Sequence, residues 1–209
     1  MNWDKVEFTN HEAYLEIALE KPIFSQKTDA DLNTQIGVTS LNYQGVSLSP
    51  ENASCLIHKL QLINKSNMIS VVFSALAAES FINYYALSKG KDEAYLRRFK
   101  GSKSKRLSES VFKWIDIPNE ITGRFALNEG SAEFSGLQKP FTDRNTLAHY
   151  KASLQDLQSV DFSNIQDPNA ITIQDVQSNY CATVNAIRSI QNVDPDIDIS
   201  WMHIGECIA

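Results

Sequence analysis

The segment Phe141-Thr-Asp-Arg-Asn-Thr-Leu-Ala-His-Tyr150 places an arginine and a histidine five residues apart. A guanidinium stays charged at any working pH and offers several N–H donors to anionic oxygens, while an imidazole exchanges a proton near neutrality. Together they suit chemistry at a phosphate. Arg144 would offset the charge that builds in a pentacoordinate transition state, His149 would move a proton, and Asn145 would orient either the phosphate or the ring. That chemistry needs no metal.

Such side chains must be presented by a helix. Thr142 or Asp143 reads as its N-cap, with the helix running over 142–158 and Arg144 and Asn145 in its first turn. Leu147, Tyr150, Leu154 and Leu157 then share a core stripe, with core packing as the job of Tyr150. His149 lies almost opposite, beside Asn145, Ala148 and Ala152, and Arg144 stands about 140° round the helix from it. Small neighbours predict a second packed or half-buried face on which another backbone comes close.

The elements ahead of this helix are read from caps and periodicity. Ser49-Pro50-Glu51 starts a helix that runs to about residue 64, and a second spans about 67–88. The second is apolar nearly all round, which marks it as the centre of a bundle. Glu79 and Asn83 interrupt it and are neighbours at i, i+4. Two readings stand: the pair bond each other or cap a neighbouring helix to fix register, or Glu79 orients Arg144 or His149. Further helices fall near 92–99, 104–116 and 172–192, and Trp114 reads as a core anchor. The stretch from Pro118 to Pro140, with Gly123, Gly130 and Gly136, reads as a long connection able to cover the site. In residues 1–49, Tyr14-Leu-Glu-Ile-Ala-Leu-Glu could be a short helix or a strand and Ile36–Leu48 alternates partly with period two, so the segment reads as an irregular arm that could include a β-hairpin.

Arg-Asn-x-x-x-His on a helix that follows a long apolar helix carrying a Glu resembles the HEPN family of all-helical domains. The resemblance extends to Ala75-Leu-Ala-Ala-Glu-Ser-Phe-Ile-Asn83, similar to the family's central helix, and to Leu107-Ser-Glu-Ser-Val-Phe-Lys-Trp114, similar to the helix that often follows it. It covers roughly residues 50–195, leaving 1–49 as an N-terminal extension and 196–209 as a C-terminal tail. It implies an all-α, antiparallel helical bundle. It also implies a homodimer whose Arg144 and His149 form a metal-independent ribonuclease site, with Asn145 and Glu79 in support, in a toxin or phage-defence setting. Other members of the family are inactive and bind RNA, a nucleotide or a protein partner. RNA carries its own nucleophile, the 2′-hydroxyl, so one cation and one proton carrier suffice to cleave it to a cyclic phosphate. One such pair per chain is sparse, and a two-fold dimer would converge two pairs on one cleft. An antitoxin or defence-system protein is the implied partner. In some toxins of the family an antitoxin modifies a tyrosine two places after the histidine, where this chain has Lys151 and carries Tyr150 one place early.

Composition bounds these expectations. The chain has 209 residues, 43% of them hydrophobic, which suits one well-buried domain. Its net charge of −6 argues against a surface that is basic throughout. The charges are unevenly placed, however, and Arg97, Arg98, Lys100, Lys103, Lys105 and Arg106 form a Gly- and Ser-containing basic loop that could reach RNA phosphates or simply be solvated. Cys55, Cys181 and Cys207 are widely spaced, so neither a disulfide framework nor a zinc knuckle is indicated. His11, His58 and His203 stand apart from carboxylates at ligand spacing, and the phosphate-loop, dinucleotide, nucleophile-elbow and zinc-protease motifs are absent. No cofactor or metal is expected. The first residues are too polar for a signal peptide and no membrane span is read, so a cytoplasmic location is the expectation.

Overall fold

The computed structural model describes residues 10–99, 109–148 and 171–202. Their regular structure is all α: α1 (His11–Ile36), α2 (Pro50–Ser88), α3 (Glu93–Arg97), α4 (Glu109–Thr122), α5 (Ala132–Ala148) and α6 (Ile173–Val193). No strand occurs among the described residues.

The axis of the fold is α2, 39 residues long, and roughly 58 Å from end to end. Ser49 caps it as its sequence dictates, accepting from the Asn52 amide with Pro50 at the first position. The expected break near 65 does not occur. Asn64-Lys-Ser-Asn67 has the composition of a turn, yet Ser66 and Asn67 are buried helical residues. Asn67 accepts from the Ser25 hydroxyl at 2.8 Å and donates to the Ile171 carbonyl at 2.7 Å, which satisfies a polar group that would otherwise cost stability.

Residues 11–36 are a helix rather than part of an irregular arm, and 37–49 form turns without the expected hairpin. Antiparallel to α2, α1 places Ala18 by Ser70, Ser25 by Ile63 and Gln35 by Cys55. Pro22 lies inside it and lacks the N–H that would bond the Ala18 carbonyl, and the Ser70 hydroxyl bonds that carbonyl instead at 2.6 Å. Gly37 ends the helix in the left-handed region, φ 73°, with its N–H on the Asn33 carbonyl. Leu15 and Ala18 belong to the main core with Phe81, Trp114 and Ile187, while Leu32, Val38 and Leu56 form a second cluster further along the α1–α2 pair. Residues 11–36 are therefore part of the same packed body as the bundle. The same holds for Ile197, Ile199 and Met202 in the expected C-terminal tail, all buried in the main core.

The long connection expected between Pro118 and Pro140 is also shorter than its punctuation suggests. Both prolines lie inside helices, α4 running on to Thr122 and α5 starting at Ala132, with the Phe134 amide bonded to the Ser131 hydroxyl. Gly136 sits within α5, where an added Cβ would meet the Ala182 Cβ at an ordinary 3.5 Å. Gly136→Ala is expected to raise unfolding free energy by about 0.5–1 kcal/mol, since the glycine costs backbone entropy without needing the space. Urea titration checks it, and a lowered midpoint would mean that the two helices are too close for a methyl.

Opening with a reciprocal capping box between Thr172 and Asp175, α6 runs parallel to α2. Its contacts on α2 advance together, from Ile171 on Asn67 to Thr183 on Ser74 to Asp194 on Tyr85 and Lys89. Among the described residues one helix, α2, is long and apolar enough by composition to span a bilayer, and half of its most apolar window is buried inside the bundle.

His11 begins α1 in an aromatic box, stacked on Tyr84 at 4.7 Å and edge-on to Phe81 and Trp201. Only 2% of it is exposed, and burial pushes its pKa down to about 4. The fold therefore binds neutral imidazole, so stability is complete above the unfolded-chain value of 6.5 and falls as pH drops towards 4. Between pH 7 and 5 the loss should be about 2 kcal/mol. His11→Phe should abolish most of this acid sensitivity in paired denaturant titrations. An equal loss in both proteins would show that the ring is not buried neutral.

Candidate active site

Arg144 lies late in α5, not in a first turn, because the helix starts twelve residues before it. The two residues expected to cap the helix start have other work. Thr142 donates to the Gln138 carbonyl at 3.0 Å, and Asp143 accepts from Lys139 at 2.6 Å and from Asn179 of α6 at 2.8 Å. Lys139 also reaches Asp175 at 3.2 Å, so one ammonium ties the α5 carboxylate to the capping box of α6. Burial would lower the lysine's pKa, but the hydrogen bonds it donates to Asp143 and Asp175 hold it above its ordinary value. Burial likewise raises Asp175, and the bonds from Thr172 and Lys139 more than reverse it. This network fixes α5 on α6 one residue before Arg144.

The guanidinium then points to α2. Its Nη1 donates to Glu79 Oε2 at 3.0 Å, its Nη2 to Asn145 Oδ1 at 3.2 Å, and its Cζ lies 5.6 Å from the Phe141 ring centroid. The two side chains of the ion pair are 25% and 36% exposed, which puts the pair's stabilisation at about 1 kcal/mol or less. Orientation is the larger effect. Among the described residues, two of its five N–H donors have a partner. Asn145 and Ala148 are exposed on the described part of α5 rather than packed as the small-residue face predicts. His149 lies outside the described residues, as do Tyr150, Lys151 and Ala152.

Glu79 and Asn83 do not bond each other. Each takes a partner from a different helix, Arg144 of α5 for Glu79 and Lys113 of α4 for Asn83, whose Oδ1 accepts from Nζ at 3.1 Å. Lys113 is 5% exposed and has Glu109 Oε1 at 3.7 Å. Its burial was not foreseen, although a lysine inside the apolar run Val-Phe-Lys-Trp-Ile is a sequence signal for it. Helices α4 and α5 each pack on α2 without substantial contact between themselves. The polar stripe Glu79–Asn83 therefore lies between them.

Of the basic loop, Arg97 and Arg98 are described and Lys100, Lys103, Lys105 and Arg106 lie outside the described residues. Arg97 ends α3, exposed and paired with Glu93 at 3.0 Å. Arg98 is held more closely, ion-paired with Glu120 and stacked 4.0 Å from the Tyr95 ring centroid. Burial raises Glu120, but hydrogen bonds from Arg98 and Tyr95 leave its pKa lowered, while burial and that carboxylate push Tyr95 up to about 12. Such a pairing fastens α3 to α4 and leaves Arg97 the freer cation of the two.

Among the described residues no three His, Cys, Asp or Glu side chains converge at metal-ligand distance. An open hollow of about 580 Å³ lies beyond the end of α6, lined by Gln191, Asp196, Asp198 and Met202 among others, without a cationic side chain. It is remote in chemistry from Arg144. Comparison of the chain with models of known protein families, with curated proteins and with solved structures gives no match.

Proposed function

We propose that this protein is a HEPN-like, metal-independent endoribonuclease that acts as a homodimer in a toxin or phage-defence setting. What supports the reading is Arg144, pre-oriented by Glu79 and Asn145 through two of its five N–H donors among the described residues, five residues ahead of His149 in the chain. In the reaction the 2′-hydroxyl attacks the adjacent phosphorus and the bond to the 5′-oxygen breaks, leaving a 2′,3′-cyclic phosphate and a 5′-hydroxyl. Arg144 faces the non-bridging oxygens, where charge accumulates. His149 accepts or delivers the proton, and a two-fold apposition through the exposed Asn145 and Ala148 side of α5 brings a second His149 for the opposite transfer.

The experiment is a cleavage assay in EDTA on an RNA, the DNA of the same sequence and its 2′-O-methyl form. Only the RNA should be cut, and His149→Ala should cut it more slowly by orders of magnitude while staying folded and dimeric. Cutting of the 2′-O-methyl strand would exclude attack by the 2′-hydroxyl, and a monomer in sedimentation would exclude the shared cleft.

A second reading, a module that binds RNA, a nucleotide or a partner protein without cutting, has one observation in its favour. Arg97, Arg98 and Arg144 each already face a carboxylate, for which a phosphate must compete. Binding without cutting on varied RNAs would select it.

A further inference from the structure

The polar stripe on α2 has a second member that the proposed reaction does not use. Lys113 can only donate, so the Asn83 amide must turn its oxygen to the ammonium, which leaves the Nδ2 group pointing the other way. That orientation follows from chemistry alone. Glu79 lies one turn away on the same helix, roughly 6 Å along its axis, with Arg144 fixed to it. Between α4 and α5 the described residues therefore place a partly exposed guanidinium and, one turn on, a half-buried neutral amide donor locked by a buried lysine.

We propose that Asn83 is a substrate-contacting residue and Lys113 its positioning residue: Nδ2 donates to a phosphate oxygen of the nucleotide next to the one that Arg144 engages. The inference rests on the RNA-cleaving reading and adds a contact to it. Burying Lys113 almost completely is costly for an ammonium that makes one hydrogen bond and one longer ion pair, and a simple packing role at that position would be served by methionine. Keeping the charge fixes the orientation of the half-buried Asn83 side chain. A donor held in place loses less entropy on binding than a free one, so its contribution appears in affinity for the strand.

The test uses the full chain and an uncleavable 2′-O-methyl RNA 12-mer as probe, with binding followed by fluorescence anisotropy and folding by thermal melting. Asn83→Asp keeps an acceptor for Lys113 and loses the donor, and Kd should rise about tenfold or more with the melting temperature held. Ser80→Asp puts the same charge on the neighbouring position and should change Kd less than about threefold, which separates the lost donor from added repulsion. Lys113→Met should weaken binding and Lys113→Arg restore it. Equal Kd for Asn83→Asp and the unaltered protein overturns this inference and leaves the ribonuclease reading standing. No binding by the unaltered protein overturns both.

Discussion

Arg144→Ala is expected to slow RNA cleavage about a thousandfold, the range seen when one donor to a developing charge is removed. The fold should survive, because the pair with Glu79 is partly exposed on both sides and its loss costs little stability. Arg144→Lys tests orientation separately from charge. A lysine supplies the charge without the planar fork that lets one group face Glu79, Asn145 and a phosphate together, and should recover only a small part of the rate. Glu79→Gln keeps an acceptor for Nη1 and should fall between the two. Single-turnover rates with circular dichroism on each variant check the series, and an Arg144→Ala protein cutting at the unaltered rate would remove this side chain from the chemistry.

Deletion of residues 1–36 should abolish folding of the remainder. The buried side chains of α1, among them Leu15, Ala18 and Leu32, cover a stripe of α2 that carries Ser70, Asn67 and Ile63, and the deletion would expose both apolar surface and the Ser70 and Asn67 side chains that α1 engages. Against a typical stability of about 5–15 kcal/mol, the loss of a whole packed helix exceeds what a domain can absorb. Expression and denaturant unfolding of the truncated chain decide it. A soluble remainder with a cooperative transition would make α1 an accessory layer instead of part of the core.

The sequence was legible where residue type and position agree. Ser49-Pro50 opens α2, Thr172 opens α6, and Trp114 is fully buried, each as its local chemistry dictates. The start of α1 was not, because its buried positions have helical spacing without apolar identities: His11, Pro22, Ser25 and Thr28 alternate with Leu15, Ala18 and Leu32. The Ser25 hydroxyl bonds Asn67 of α2, Thr28 bonds the Phe24 carbonyl of its own helix, and the His11 ring packs on Phe81 and Tyr84, so no local pattern announces partners 40 to 70 residues away. Pro118 and Pro140 misled for a related reason. Proline ends a helix on average, yet here packing holds α4 and α5 through each of them. At the site, the pairing of Glu79 with Arg144 was one of two readings open from spacing, whereas the pairing of Asn83 with Lys113 required knowing that α4 lies beside α2. The apolar run around Lys113 signals its burial, but not which acceptor on another helix it meets.

In the proposed reaction Arg144, held by Glu79, works on a phosphodiester with RNA's own 2′-hydroxyl as nucleophile. The most direct measurement is mass spectrometry of the ends left on an RNA oligonucleotide by the purified protein in EDTA, with Arg144→Ala run beside it. The account predicts 2′,3′-cyclic phosphate and 5′-hydroxyl ends from the unaltered protein and almost none from the variant. Ends with a 5′-phosphate, or cyclic phosphate at equal yield from both proteins, would contradict it.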